Sequence, residues 1–276
     1  YASGHGIVLK FDGSTVTESL SEYTDRTDSA IGIFGIDATH IYTVGALGSI
    51  IRYDGDGWRS MPSGTTEDLY DIWGSAANDL YAVGTAGTIL HFDGTAWSAM
   101  ASPTTETLND VYGISGDNVY AVGTSGTVLH YDGQVWSLMS VPTAEELDGI
   151  WAGSADAVFA GGAQGSLIFF NGQGWTTMAS GTTHHINDIW GRSTTDVYAV
   201  ADADGLVLHY DGNAWSATTI PGANILRGIW GLADGTLFVV DNHGGIYRLD
   251  GDDWQTLRAA GSRFRSVTDL AFNRAN

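Results

Sequence analysis

The feature that most constrains this chain is an internal repeat of about 39 residues. Six tryptophans recur 39, 39, 39, 40 and 39 residues apart: Trp58, Trp97, Trp136, Trp175, Trp215 and Trp254. Each follows, by three positions, the glycine of an Asp-Gly or Asn-Gly pair. Such pairs favour tight hairpin turns because glycine accepts positive φ. A repeat of this length predicts a series of similar units that stack on one another.

One unit shows what each repeat builds. It contains four short runs rich in β-branched and aromatic residues and bounded by Gly, Asn, Asp or Ser: Leu69–Ser75, Leu80–Gly84, Thr88–Phe92 and Trp97–Ala101. This composition is typical of strands rather than helices. A small four-stranded sheet that repeats must bury both faces against its neighbours, which is the arrangement of blades in a β-propeller.

The length of the chain and the repeat period together predict the number of blades. Six full units fit within residues 30–265, and 276 residues hold about seven periods. We therefore expect an all-β fold, a seven-bladed β-propeller of four-stranded antiparallel blades, forming a single domain over residues 1–276. In this prediction the seventh blade is shared by residues 1–29 and 266–276, so that one C-terminal strand and three N-terminal strands close the ring.

Charge and composition exclude several classes of function. Thirty-two acidic residues against 11 basic ones give a net charge of −21, which repels phosphate backbones and anionic lipids. We therefore expect no nucleic-acid partner. The chain has no cysteine, so disulfides and thiolate metal sites are excluded, and it has no apolar run long enough to insert into a membrane. This acidic composition leads us to expect an extracellular or cell-surface protein.

Two stretches of the repeat resemble a known family. The segments DIWGSAANDLYAVGTAGTILHFDGTAW (71–97) and DIWGRSTTDVYAVADADGLVLHYDGNAW (188–215) look like the tryptophan-glycine repeats of bacterial secreted propeller proteins. The turn from Asp93 to Trp97 also resembles the Asp box of sialidase-type and photosystem-assembly-type propellers, although His91 stands where Ser or Thr is usual. The resemblance implies that Asp93 and Trp97 brace a turn. The resemblance is specific for the architecture but not for an activity, because blades of this kind carry lectins, hydrolases and binding scaffolds.

Two sets of side chains in the repeat are candidates for ligand contact, each with a structural alternative. The six turn-following tryptophans could stack on sugar rings or could pack as wedges between blades. Three carboxylates lie two residues before an aromatic residue of the first strand, and a fourth occupies the equivalent place near the C-terminus. All four are expected to face the central channel: Asp71, Asp110, Asp188 and Asp269. They would hold a cation or ordered water, or would accept hydrogen bonds from nearby backbone N–H groups.

Two further patterns concern metals and polar contacts. Asp202 and Asp204, in a DADG turn, are the candidate metal ligands, and Ca²⁺ is the one candidate cofactor, against the alternative of a solvated turn. The histidines and arginines of the third strands either form a ligand-binding ring or fill the space between blades and bond a neighbouring blade.

The connectors between units differ most from one repeat to the next and predict the binding surface. The candidate ligand-binding residues in them are Glu67, Glu106, Glu145, His184, His185, Asn224 and Arg263. Varied loops on a regular scaffold favour a non-enzymatic recognition module for a protein partner or surface assembly. The alternatives are a repeat lectin that binds glycans and a polysaccharide hydrolase or lyase. No catalytic residues are assigned, because no paired-carboxylate or Ser-His-Asp pattern stands out, and the oligomeric state is left open.

Overall fold

The computed structural model describes residues 2–4, 7–11, 16–20, 30–232, 234–251, 253–259 and 269–270. They form short antiparallel strands joined by tight turns. The strands nearest the N-terminus are β1 (Ala2–Gly4), β2 (Ile7–Phe11) and β3 (Val16–Leu20).

Within residues 30–258, strands follow one another in groups of four, and each group forms one antiparallel sheet. Blade 1 contains β4 (Ala30–Asp37), β5 (His40–Gly45), β6 (Ile50–Tyr53) and β7 (Trp58–Met61). Blade 2 contains β8 (Leu69–Ala76), β9 (Asp79–Gly84), β10 (Ile89–Phe92) and β11 (Trp97–Ala99). Blade 3 contains β12 (Leu108–Ser115), β13 (Asn118–Gly123), β14 (Thr127–Tyr131) and β15 (Trp136–Leu138).

The next three groups repeat this arrangement. Blade 4 contains β16 (Leu147–Ser154), β17 (Ala157–Gly162), β18 (Leu167–Phe170) and β19 (Trp175–Thr177). Blade 5 contains β20 (Ile186–Ser193), β21 (Asp196–Ala201), β22 (Leu206–Tyr210) and β23 (Trp215–Thr219). Blade 6 contains β24 (Leu226–Gly231), β25 (Leu237–Asp241), β26 (Ile246–Asp250) and β27 (Asp253–Arg258). The first strands of successive blades contact one another around a central channel.

The prediction of seven blades is corrected by this arrangement. The described residues form six full blades, each of four consecutive antiparallel strands. Strands from the two chain ends form a smaller sheet in the order β28-β1-β2-β3, in which β28 (Asp269–Leu270) pairs with β1 at two positions and contacts β24 and β4. Dividing the chain length by the repeat period counted the chain ends as a unit equal to the others. Their innermost strand has 2 residues, whereas β8 has 8.

Aromatic side chains of the first strands pack between blades. Trp73 is 2% exposed and lies against Tyr112 of the next blade, with ring centroids 6.1 Å apart. The ring occupies the space where Gly113 has no side chain, since a Cβ there would come within 2.5 Å of the Trp73 ring. Trp151 makes the same approach to Gly191. Each such wedge fixes one blade against the next, which gives the channel rigid walls.

The turns between second and third strands lie at the end of the channel where the first strands begin. In blades 1 to 4 these turns are 3₁₀ turns, over Ala46–Gly48, Thr85–Gly87, Thr124–Gly126 and Ala163–Gly165. In blades 2 to 4 the first backbone N–H group of the turn donates to the preceding connector, as in the 2.9 Å bond from Thr85 N to the Asp68 carbonyl. Connectors and turns therefore form one continuous surface, called the connector face below.

Candidate binding site at the channel mouth

A β-bulge places one residue per blade at the mouth of the channel on the connector face. The ladder between the first two strands of each blade skips a residue near its start, as between Leu69 and Asp71. The extra residue of a bulge is left out of the pairing and its side chain is redirected. In the six blades these residues, called the mouth ring below, are Ile31, Tyr70, Asn109, Asp148, Asn187 and Arg227.

The mouth ring surrounds a cavity of about 520 Å³. Besides the mouth ring, the side chains lining it include Asp71, Asp110, Glu146 and Asp188. Five carboxyl groups thus face the cavity together with one guanidinium, that of Arg227. The potential inside it is consequently negative, in line with the net charge of −21.

Hydrogen bonds between blades hold the polar residues of the mouth ring in place. Asn109 Nδ2 donates to the Leu147 carbonyl at 3.0 Å and to Glu146 Oε1 at 3.2 Å. Asn187 Nδ2 donates to the Leu226 carbonyl at 2.7 Å, and Arg227 Nη1 donates back to Asn187 Oδ1 at 3.2 Å. Because each bond crosses to the next blade, the site is organised before any ligand arrives.

The three described channel carboxylates lie just below the mouth ring and bond the backbone of the next blade. Asp71 accepts from the Val111 N–H at 3.1 Å, and Asp110 accepts from the Ile150 N–H at 2.6 Å. Asp188 accepts from the Ile229 N–H at 2.7 Å. These bonds agree with the second role predicted from the sequence, in which the carboxylates accept hydrogen bonds from backbone N–H groups. Binding of a cation by this set stays a prediction.

Asp110 and His185 both have raised pKa values. Burial raises the pKa of Asp110, and the charge of Asp148 adds to this, while hydrogen bonds from Asp71 and the Ile150 N–H oppose it. The hydrogen bond to Asp148, at 2.5 Å from His185 Nε2, raises the pKa of His185, while burial opposes it. Asp110 therefore holds its proton more readily than an exposed aspartate, and His185 is more readily a cation than a free histidine.

Below the channel carboxylates the channel narrows to a space of about 50 Å³. Isoleucines and aromatic rings line this throat, among them Phe34, Trp73, Trp190 and Trp230. A polar mouth thus opens above an apolar and nearly closed floor, so a ligand would enter from the connector face and stop at the carboxylates.

Three of the seven predicted connector residues serve the local structure. Glu67 accepts from Thr85 Oγ1 at 2.6 Å, and Glu106 accepts from Thr124 Oγ1 at 2.7 Å. Glu145 accepts from Gln164 Nε2 at 3.0 Å. Each carboxylate thereby braces the 3₁₀ turn beside it. Their role as ligand-binding residues stays a prediction.

The other predicted connector residues are spread over different surroundings. His184 is exposed, whereas His185 reaches the mouth ring through Asp148. The Asn224 N–H donates to the buried Asp241 carboxylate at 3.2 Å. Arg263 lies outside the described residues, and Asp269 pairs with Ser3 in the small terminal sheet.

The two candidate calcium ligands lie apart from the cavity. Asp202 and Asp204 are both exposed, and Asp204 forms an isolated bridge with Ile225. Among the residues that the structure describes, no group of three or more His, Asp or Glu side chains is arranged to hold a metal ion. Calcium binding by this turn stays a prediction.

Three of the six turn-following tryptophans are buried, and the other three, Trp58, Trp215 and Trp254, are half-buried. Trp97, Trp136 and Trp175 are 8%, 5% and 8% exposed, so their faces are not available for a sugar ring. Trp136 Nε1 donates to the sulfur of Met100 in the preceding blade. No support remains for carbohydrate binding or for a secreted lectin.

The third-strand histidines bond their own blade rather than a neighbouring one. His91 Nε2 lies 2.7 Å from Asp79 Oδ1, and His209 Nε2 lies 2.7 Å from Asp196 Oδ1. Each ring also packs on the tyrosine paired with it across the ladder, as His209 does on Tyr198. The expectation that they bond a neighbouring blade is wrong, since cross-strand pairing brings them to the second strand of the same sheet.

The mouth ring itself was not among the predicted site residues. A signal for it exists in the sequence, because one variable position stands between a recurrent Leu or Ile and the following Asp or Gly. Glu146, which lines the same cavity, was missed as well.

No helix formed by the described residues is long and apolar enough to cross a membrane.

Comparison with known proteins identifies the fold. No protein-family model matches this sequence, and the curated proteins contain no match. The WD40 β-propeller domain of Doa1 is similar with a TM-score of 0.76 and 10% identity, over 99% of this chain and 91% of that chain. YCF48 bound to a D1 peptide is similar with a TM-score of 0.64 and 14% identity, over 83% of this chain and 82% of that chain.

A second YCF48 structure, from Cyanidioschyzon merolae, has a TM-score of 0.65 and 15% identity, over 87% of each chain. Identities this low show the fold alone, and they give no support to the tryptophan-glycine repeat family. The chain is a β-propeller.

Proposed function

We propose that this chain is a non-catalytic scaffold that binds a segment of a partner protein at the channel mouth. The observation that carries the proposal is the mouth ring, in which six mostly different side chains surround a cavity of about 520 Å³ on a scaffold that otherwise repeats. A site without internal symmetry suits a ligand without symmetry, as a peptide segment is. A repeat lectin would instead carry the same pocket in each blade.

Two further observations support the proposal. The hydrogen bonds of Asn109, Asn187 and Arg227 organise the cavity in advance, which lowers the entropic cost of binding. One of the similar folds, YCF48, was solved with a peptide bound. Propellers commonly dock partners on the face where their connectors gather.

Peptide selection tests the proposal. Random peptides displayed on phage are selected on the wild-type chain and then measured against a mouth variant that combines Tyr70→Ala, Asn109→Ala and Arg227→Gln. A rim variant that combines Gln134→Ala, Ser137→Ala and Leu138→Ala, all exposed at the outer edge of blade 3, is the matched control.

We expect the enriched peptides to lose at least tenfold in affinity on the mouth variant and to keep their affinity on the rim variant, since hot-spot truncations typically cost about 2 kcal/mol. Circular dichroism and the unfolding midpoint establish that both variants are folded. Failure to enrich any peptide, or equal binding to both variants, would overturn the proposal.

A further inference from the structure

The carboxylates of the cavity differ in their hydrogen-bond partners. Those of Asp71, Asp110 and Asp188 accept backbone N–H groups of the next blade and are committed to the channel wall. Glu146 and Asp148 lie higher, at the mouth, and are half-buried. They bond side chains at the mouth, Glu146 with Asn109 and Asp148 with Asn109 and His185. These two carboxylates are therefore the ones that a ligand entering from the connector face meets first.

An aromatic ring lies close to the same carboxylates. Tyr70 belongs to the mouth ring of blade 2 and lines the same cavity as Glu146 and Asp148. Burial raises the pKa of Tyr70, and the charges of Asp68 and then Glu146 raise it further. Ile31 lines the cavity next to it. An apolar wall beside carboxylates matches a side chain with a long apolar stem and a cationic head.

The guanidinium that lines the cavity stands apart from this corner, where His185 bonds Asp148 from outside the lining. Arg227 is in blade 6 and donates to Asn187 of blade 5. Glu146 lies just before the first strand of blade 4, and Asp148 lies within that strand. The cavity thus has an acidic, aromatic corner and a separate basic one. This asymmetry sets an orientation for whatever segment occupies the mouth.

We infer that the partner segment inserts an arginine or lysine side chain into the mouth, with its stem against Tyr70 and its charged head between Glu146 and Asp148. This inference rests on the proposed function and names the chemistry of its ligand. Arginine fits better than lysine, because a planar guanidinium offers forked donors to two carboxylates at once.

Resynthesised peptides from the selection above test the inference. In each peptide, every Arg is replaced by citrulline, which keeps the shape and removes the charge, and every Lys is replaced by norleucine. Binding is measured by fluorescence anisotropy against the wild-type chain and Glu146→Gln. Asp156→Asn, which removes a charge from the same blade at its opposite end, is the control.

We expect Arg or Lys in the enriched peptides, a loss of about tenfold or more on its replacement, and a similar loss in Glu146→Gln, as charge-assisted hydrogen bonds imply. The two losses should not add, because they remove the same contact. Asp156→Asn should bind as the wild type does.

The outcomes separate this inference from the proposed function. Enriched peptides that lack a cation, or that bind equally after citrulline replacement, would overturn the inference while their loss on the mouth variant keeps the proposed function. Peptides that bind the mouth variant as tightly as the wild type would overturn both.

Discussion

The mouth and the throat of the channel are built from the same six innermost strands, yet they differ in what repeats. At the throat every blade carries an aromatic residue, namely Phe34, Trp73, Tyr112, Trp151, Trp190 and Trp230. At the mouth the six residues include aliphatic, aromatic, amide, acidic and basic side chains. The side chains at the throat positions pack between blades, and each must fit against the equivalent surface of the next blade. The bulge residues of the mouth make no ladder pair, so strand pairing does not restrict their chemistry.

The largest effect should come from the throat. Trp73→Ala removes a ring that is 2% exposed and fills the space beside Gly113, so we expect a loss of about 3–5 kcal/mol in the free energy of unfolding. Arg227→Gln at the mouth should change it by less than about 1 kcal/mol, because its hydrogen bond is half-exposed. Guanidinium chloride unfolding measures both. Equal losses would break the distinction between the two regions.

The last residue of the second strand is glycine in blades 1 to 4 and alanine, Ala201, in blade 5, and it gives the next largest effect. A Cβ on Gly123 would come within 1.9 Å of the Thr107 carbonyl oxygen, so Gly123→Ala must shift the backbone and should cost about 2–3 kcal/mol. Gly174→Ala is the matched control, since nothing lies within 4 Å of a Cβ there. It should leave the unfolding midpoint unchanged or raise it slightly. A tolerated Gly123→Ala would show that the repeated glycine is dispensable.

In blade 6 the same position carries Asp241, and its replacement gives the smallest effect. Asp241 is buried and accepts from the Gly245 N–H at 2.7 Å and the Tyr247 hydroxyl at 2.8 Å. Burial alone would raise the pKa of Asp241, but these and other hydrogen bonds lower it. Asp241→Asn should therefore cost about 1–2 kcal/mol at pH 7, since buried partners lose a charged acceptor.

The pH dependence of that loss follows from the direction of the shift. A carboxyl group with a lowered pKa in the folded state stabilises the fold above its unfolded pKa, about 4, and loses this contribution as the pH falls through the folded value. The difference in unfolding free energy between wild type and Asp241→Asn should thus shrink between pH 5 and pH 2. Urea unfolding at several pH values measures it, and a constant difference would contradict the assigned role.

The sequence predicted the parts of the fold that depend on local patterns. Tryptophan spacing, Asp-Gly turns and short apolar runs identified the four strands of each blade because each of them is a short-range signal. The number of full blades was wrong because sheet pairing at the chain ends is a long-range property. The direction of Asp71 toward the axis was accessible from its place in the first strand, but its bond to Val111 was not, since that partner lies 40 residues away.

The candidate site was harder to predict because it depends on a departure from regular pairing. A strand with strict alternation would turn Tyr70 and Asp71 to opposite faces, whereas the bulge brings both to the cavity. The connectors were predicted as the binding surface because they vary in sequence. Three of their acids, Glu67, Glu106 and Glu145, nevertheless bond the turns beside them.

The bulges have a practical consequence for protein engineering. Because each mouth residue stands outside the strand ladder, six codons can be randomised together without changing a single cross-strand pair. Such a library would present a continuous, concave recognition surface on one frame, in the way that antibody loops are varied on theirs. Directed evolution of this ring for new peptide specificities would then leave the strand pairing within each blade as it is, while changing the hydrogen bonds between blades that Asn109, Asn187 and Arg227 now make.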